Sequence, residues 1–168
     1  MKNVVLLGIM ASGKTSSGKL LAKKLSFCFF DSDKLMEKIE GRSIKTIFEQ
    51  SGEAYFRRLE RSVLSGLAKE KNAVIAAGGG AIKDASNIRA LKKNGILVCL
   101  LSSPEAILKR LKKDSSRPLL NSANRKKKVE ELISERFPLY AKHADLLLDT
   151  SKLTPAKTAT AVFGLLSY

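Results

Sequence analysis

An α/β domain built on a parallel sheet is the fold class this sequence predicts, and three observations predict it. Short apolar runs alternate with longer stretches of helical period along the whole chain. The runs are apolar almost throughout rather than at every second residue, as strands are when helices cover both faces of their sheet. The chain has 168 residues, 44% hydrophobic and 28% charged, which suits one compact domain with a real core and argues against disorder. No repeat, linker or shift in composition divides it, so a single domain over 1–168 is expected.

The elements follow in order. NVVLL (3–7) reads as a buried strand stopped by Gly8. Residues 14–25 place Leu20, Leu21 and Leu25 at helical spacing. FCFF (27–30) is a short second strand, and SDKLMEKIEG (32–41) a helix with Ser32 as its N-cap and Gly41 just past its end. SIKTIFEQSG (43–52) is a shorter helix closing at Gly52, with a longer one over 53–70. AVIAA (73–77) is a strand that runs into three glycines, and Asp84 caps a helix over 85–93. ILVCLL (96–101) is the next strand. SPE (103–105) then supplies a cap, a proline and an acid for the first turn of a helix reaching about residue 113. DSSRPLLNSAN (114–124) is polar and interrupted by proline, hence a loop. A helix over 125–142, a strand ADLLLD (144–149) and a last helix capped by Thr154, with Pro155 in its first turn, complete the chain.

Composition narrows the partners. Lysine and arginine number 31 against 16 acids, a net charge of +15, which favours anionic ligands: nucleotides, anionic metabolites or nucleic acid. No run of apolar residues is long enough to span a bilayer. A signal peptide is not expected, because cleavage near Ala11 would destroy the motif that follows the opening run. Cys28 and Cys99 lie in or beside apolar runs and read as two buried thiols of a reducing cytoplasm. His143 has no metal-ligand spacing around it and reads as an ordinary surface or helix-end residue, and RKKK (125–128) as a solvated helix face.

GIMASGKT (8–15) fits G-x-x-x-x-G-K-[ST] and sits between a predicted strand and a predicted helix, where the mechanism of that motif needs it. Its glycines let the backbone curl so that successive N–H groups and the helix N-terminus bind phosphate oxygens. Lys14 reaches the β- and γ-phosphates, and the Thr15 hydroxyl can ligate Mg²⁺. The loop therefore holds a nucleoside triphosphate. It does not name the acceptor, although the guanine-reading Asn-Lys-x-Asp of GTPases is absent.

Asp31 and Asp33, in FFDSD, sit two apart at a strand end and project to the ligand crevice outside the carboxyl ends of a parallel sheet. One could serve the Mg²⁺ shell and the other face an acceptor hydroxyl as base or orienter; alternatively, both are caps of the helix that follows. Arg57, Arg117 and Arg136 suit bidentate capture of carboxylate or phosphate. Arg117 lies mid-loop among Ser and Asn, as an arginine on a mobile lid would. GGG (78–80) after a strand allows close approach to a small ligand, or is a plain turn.

Together these pieces resemble the shikimate kinase family. FFDSDKLMEKIEGRSIKTIFEQSGEAYFRRLE (29–60) carries the most distinctive part, joining the Asp-x-Asp pair to Gly-Arg-Ser-Ile, Gly-Glu and Phe-Arg-Arg-x-Glu, and GGG, RPLL and RFPLY complete the set. The resemblance implies a three-layer P-loop kinase fold of the nucleoside-monophosphate-kinase type. Its five-stranded parallel sheet would have the order 2-3-1-4-5, with a substrate-binding region at about 32–60 and a lid at about 112–124. It implies transfer of the ATP γ-phosphoryl group to the 3-hydroxyl of shikimate by a cytoplasmic monomer with Mg²⁺ and no obligatory nucleic-acid partner. By motif position, Lys14, Asp33 and Arg117 are catalytic. Ala11, Ser12, Gly13, Lys14, Thr15, Ser16, Arg110, Arg117 and Pro155 serve ATP. Asp33, Arg57, Glu60, Gly78, Gly79, Gly80 and Arg136 serve shikimate, with Glu60 orienting Arg57, and Thr15 and Asp31 serve the metal.

Two features depart from the family. Ala11 stands where glycine is usual, and its methyl suits the loop only if φ stays negative. The net charge of +15 is high for a small metabolic kinase. A kinase for gluconate or a nucleoside monophosphate is the nearest alternative. An ATP-switched nucleic-acid binder is a more distant one, poorly served by 6% aromatics and no tryptophan.

Overall fold

The computed structural model describes residues 2–112 and 124–166. Five parallel strands, β1 (Asn3–Leu7), β2 (Cys28–Asp31), β3 (Ala73–Ala76), β4 (Gly95–Leu101) and β5 (Leu146–Asp149), lie in the order β2-β3-β1-β4-β5. Val5 of β1 pairs with Ile75 on one side and Leu97 on the other. The expected order is thus observed, and β1, the strand that leads into the phosphate-loop motif, is central. Alternate residues of the buried strands feed two cores. Val5, Leu7, Ile75, Leu97 and Cys99 pack with α2 (Ser32–Glu40), α3 (Ile44–Leu67), α4 (Ala85–Asn94), α5 (Pro104–Leu111) and α6 (Arg125–His143). Val4, Leu6, Val74, Val98 and Leu100 pack with α1 (Lys14–Leu25) and α7 (Pro155–Leu166). Three layers result because every central strand is apolar on both faces. Among the described residues, no helix is long and apolar enough to cross a membrane.

Some local expectations are corrected. The N-cap of α2 is Asp31, not Ser32: its Oδ1 accepts from the amides of Asp33 (3.1 Å) and Lys34 (3.2 Å). A carboxylate caps as well as a hydroxyl does, and this frees the Ser32 side chain for another bond. The two helices expected on either side of Gly52 are present within α3, which the non-helical backbone of Gly52 (φ 75°, ψ 171°) divides as expected. Cys99 is buried, but Cys28 is exposed, because it opens an edge strand that has only β3 beside it.

The cap of α4 yields a test. Asp84 Oδ1 accepts from the Ser86 amide at 2.8 Å and the Ser86 hydroxyl at 2.6 Å, while Arg61 donates twice to Oδ2. The Ser86 hydroxyl first, and then Arg61 and the Ser86 amide, hold the Asp84 carboxyl at about 2. A depressed carboxylate stabilises the fold above its unfolded value and loses that contribution as pH falls through the folded one. Asp84→Ala should therefore cost about 1 kcal/mol near neutral pH. In denaturant unfolding the difference from the parent should shrink as the pH is lowered from about 4 to about 2.

Candidate active site

All the predicted site residues that the structure describes lie at or near the carboxyl ends of the strands. The loop after β1 starts with a tight turn closed by the Ser12 amide on the Ile9 carbonyl at 3.3 Å. Ala11, third in that turn, has φ 57°. The expectation of a negative φ is overturned: the turn takes a positive φ at its third residue, as type II turns do and type I turns do not. Left-handed backbone costs an alanine roughly 1–2 kcal/mol. Ala11→Gly should raise unfolding stability by at most about 1 kcal/mol, since glycine's looser unfolded chain takes part of the gain back; thermal melting of the pair measures it.

Gly13, also left-handed at φ 97°, is the N-cap of α1 and offers no side-chain cap. The first amides of α1 are thereby left to a ligand, which is the arrangement that binds phosphate. Lys14 Nζ donates to the carbonyls of Gly8 (2.8 Å) and Ile9 (2.9 Å), so its ammonium lies folded over the mouth of the loop. Ser16 is exposed in the first turn of α1, and Ser12 is buried. The Thr15 hydroxyl donates to Asp31 Oδ2 at 2.7 Å. Asp31 therefore does two jobs: one oxygen caps α2 and the other faces Thr15.

The three glycines after β3 organise the second half of the site. A Cβ on Gly78 would meet Asp33 Oδ1 at 2.6 Å and Glu60 Oε1 at 3.1 Å. On Gly79 it would meet Arg136 Nη1 at 3.3 Å, with the Gly8 carbonyl and the Met10 amide of the phosphate loop at 3.6 Å. On Gly80 it would meet Arg57 Nη1 at 2.6 Å. Each glycine lies against a different polar head group, so an added Cβ would have to push that head group aside. One short turn thus gathers Asp33, Glu60, Arg136 and Arg57 beside the start of the phosphate loop.

Burial and pairing set the electrostatics. Glu60 is 1% exposed. Its Oε2 accepts from Arg57 Nη1 at 2.8 Å, and its Oε1 has no hydrogen-bond partner among the described residues. Burial pushes the Glu60 carboxyl above its ordinary value, and Arg57 pulls it partly back. Arg57 also holds Glu53 at 3.1 Å. Arg136 Nη1 donates to the Gly79 carbonyl at 2.9 Å, while its buried Nε has no partner among the described residues.

Arg110, expected to serve ATP, lies against the phosphate loop. Its guanidinium donates to the Ala11 carbonyl (3.1 Å), to Ser102 Oγ (2.9 Å) and to the Thr150 carbonyl. Pro155 is exposed at the start of α7. Arg117 and nearly all of the expected lid lie outside the described residues. Three residues given no site role from the sequence hold the turns in place. Ser32, fully buried, accepts from the Gly78 amide at 2.9 Å; Tyr140 donates to the Gly79 carbonyl at 3.3 Å; Thr150 reaches the Ser12 carbonyl at 3.2 Å. Only Tyr140 left a sequence signal, standing four residues after Arg136 on one helix face.

The comparison with known sequences settles the ancestry. The family model described as shikimate kinase matches residues 10–166. The chain belongs to the shikimate kinase family. The shikimate kinase of Thermoanaerobacter pseudethanolicus is 45% identical over 162 residues, 96% of this chain and 94% of that one. A solved shikimate kinase from Acinetobacter baumannii, in complex with shikimate, superposes with a TM-score of 0.94 at 38% identity, over 99% of this chain and 93% of its own. The shikimate kinase of Aquifex aeolicus superposes at 0.84 with 35% identity, over 98% and 96% of the two chains. The P-loop kinase fold expected from the sequence is therefore the one observed.

Proposed function

We propose that this chain transfers the γ-phosphoryl group of ATP to the 3-hydroxyl of shikimate, giving shikimate 3-phosphate and ADP on the route to chorismate and the aromatic amino acids. The observation that carries this reading is the glycine turn 78–80, which packs two carboxylates and two guanidinium groups against the edge of a phosphate loop. Shikimate is a small polyhydroxy carboxylate, and this is the chemistry needed to hold one. Arg57 and Arg136 bind its carboxylate. Asp33 orients the acceptor hydroxyl and takes its proton as the new oxygen–phosphorus bond forms, while the bond to the β-phosphate oxygen breaks and leaves ADP. Lys14 neutralises charge on the transferring group.

The site also fits Mg²⁺. Thr15 Oγ1 and Asp31 Oδ2, side by side at 2.7 Å, are hard oxygen donors. Mg²⁺ takes few protein groups when phosphates and water fill the rest of its shell. Thr15 would hold the ion directly and Asp31 through water; when bound, it offsets negative charge on the β- and γ-phosphates. The chain acts as a monomer in the cytoplasm, with no membrane and no obligatory nucleic acid. The test is whether shikimate stimulates ADP formation by the purified chain, and whether a chelator stops it. Stimulation by gluconate or a nucleoside monophosphate instead of shikimate would assign the site to another small acceptor.

A further inference from the structure

We propose that Thr150 is a positioning residue for the phosphate loop, acting at the end of a hydrogen-bond cascade that starts at Arg110; this rests on reading residues 8–15 as the phosphate cradle. The direction of the cascade follows from donor chemistry. A guanidinium only donates, so the 2.9 Å contact from Arg110 Nη1 occupies a lone pair of Ser102 Oγ. The Ser102 proton is then free to bond Thr150 Oγ1, 2.7 Å away. Thr150 in turn directs its proton at carbonyls: Leu101 at 2.8 Å, which ties it to the end of β4, and Ser12 at 3.2 Å. The same Arg110 Nη1 also reaches the Ala11 carbonyl at 3.1 Å.

Two consecutive carbonyls of the phosphate loop, Ala11 and Ser12, are thus held by one network anchored on β4, β5 and α5. Thr150 is 1% exposed, so the network works in a medium where each bond polarises the next. Its effect on ligand binding follows from peptide geometry. In a trans peptide the N–H points opposite to the C=O. Turning the Ser12 carbonyl toward Thr150 therefore turns the Gly13 amide away from it, to the side from which the amides of α1 are approached. Turning the Ala11 carbonyl toward Arg110 turns the Ser12 amide onto Ile9, which closes the turn that keeps Ala11 at φ 57°. An alanine resists that conformation where a glycine does not. The cascade holds the loop in the binding shape against the strain of its own methyl group.

The experiment measures ATP and shikimate affinities separately, by titration calorimetry, on the full chain carrying Thr150→Val, Thr150→Ser, Ser102→Ala, Ala11→Gly or Ala11→Gly with Thr150→Val. Thr150→Val keeps the side chain's shape and removes the hydroxyl. It should weaken ATP about tenfold with shikimate affinity within about twofold of the parent, and Thr150→Ser should restore ATP binding to within about twofold. With Ala11→Gly in place, the same valine should cost only about threefold, because the turn no longer has to be forced. Ser102→Ala, at a half-buried position, removes the bond that polarises Thr150 but leaves Thr150's own donation to Ser12, and it should show a smaller ATP-only loss, about threefold, if Thr150→Val does not fold. Equal losses in the alanine and glycine backgrounds, parallel losses of both ligands, or ATP affinity unchanged by both Thr150→Val and Ser102→Ala would each overturn the proposal. A parent chain that takes up no ATP would instead overturn the reading of the phosphate loop itself.

Discussion

Lys14→Met is expected to slow phosphoryl transfer about a thousandfold or more while leaving the chain folded. Methionine keeps the length and the apolar stem and removes only the ammonium. That ammonium sits on the Gly8 and Ile9 carbonyls of the loop, at 2.8 and 2.9 Å, and in the proposed reaction it is the charge that the γ-phosphate meets. A fixed positive group in a site from which water is excluded acts with little reorganisation, which is why removing one such group commonly costs several powers of ten in rate. Single-turnover measurements with saturating ATP and shikimate read the chemical step, and a melting curve confirms folding. A Lys14→Met chain that turned over within about tenfold of the parent would remove Lys14 from the catalytic set.

Arg57→Ala should raise the KM for shikimate at least about thirtyfold and leave that for ATP nearly unchanged, because truncating one partner of a buried, hydrogen-bonded ion pair costs upward of about 2 kcal/mol. Two effects combine. In the proposed complex the substrate carboxylate loses one of its two guanidinium partners. Glu60, buried and already pushed above its ordinary value by desolvation, loses the group that pulls it back, and it takes up a proton more readily. Adding Glu60→Gln to Arg57→Ala should recover much of the lost unfolding stability without recovering shikimate affinity, which separates the structural part from the binding part. Shikimate affinity untouched in Arg57→Ala would show that the carboxylate binds elsewhere.

Much of this was legible in the residues, and the parts that were not have physical reasons. The strands were plain because burial on two faces leaves no polar interruption, and strand order came with the family resemblance rather than from any pattern. Asp31 and Ser32 were exchanged as caps because both side chains can accept an amide, and the choice is made by a contact far off in sequence: Gly78, 46 residues on, takes the Ser32 hydroxyl. The break at Gly52 was legible because glycine tolerates the positive φ, 75°, at which one helix ends before the next begins. The conformation of Ala11 could not be read from its type, which disfavours it; it is held by Arg110 and by the turn. Thr150 gave no signal, because a threonine at the end of a strand is ordinary until the loop that it reaches has been placed beside it.

The run Gly78–Gly80 has a consequence for how such an enzyme chooses its acceptor. With no side chains of its own, it acts as a spacer, and its thinness sets the gap left between two acids and two basic groups. Selectivity for the size of an incoming molecule is then written partly in missing atoms, since a single added carbon would push aside the head groups that border the turn and reshape the space between them.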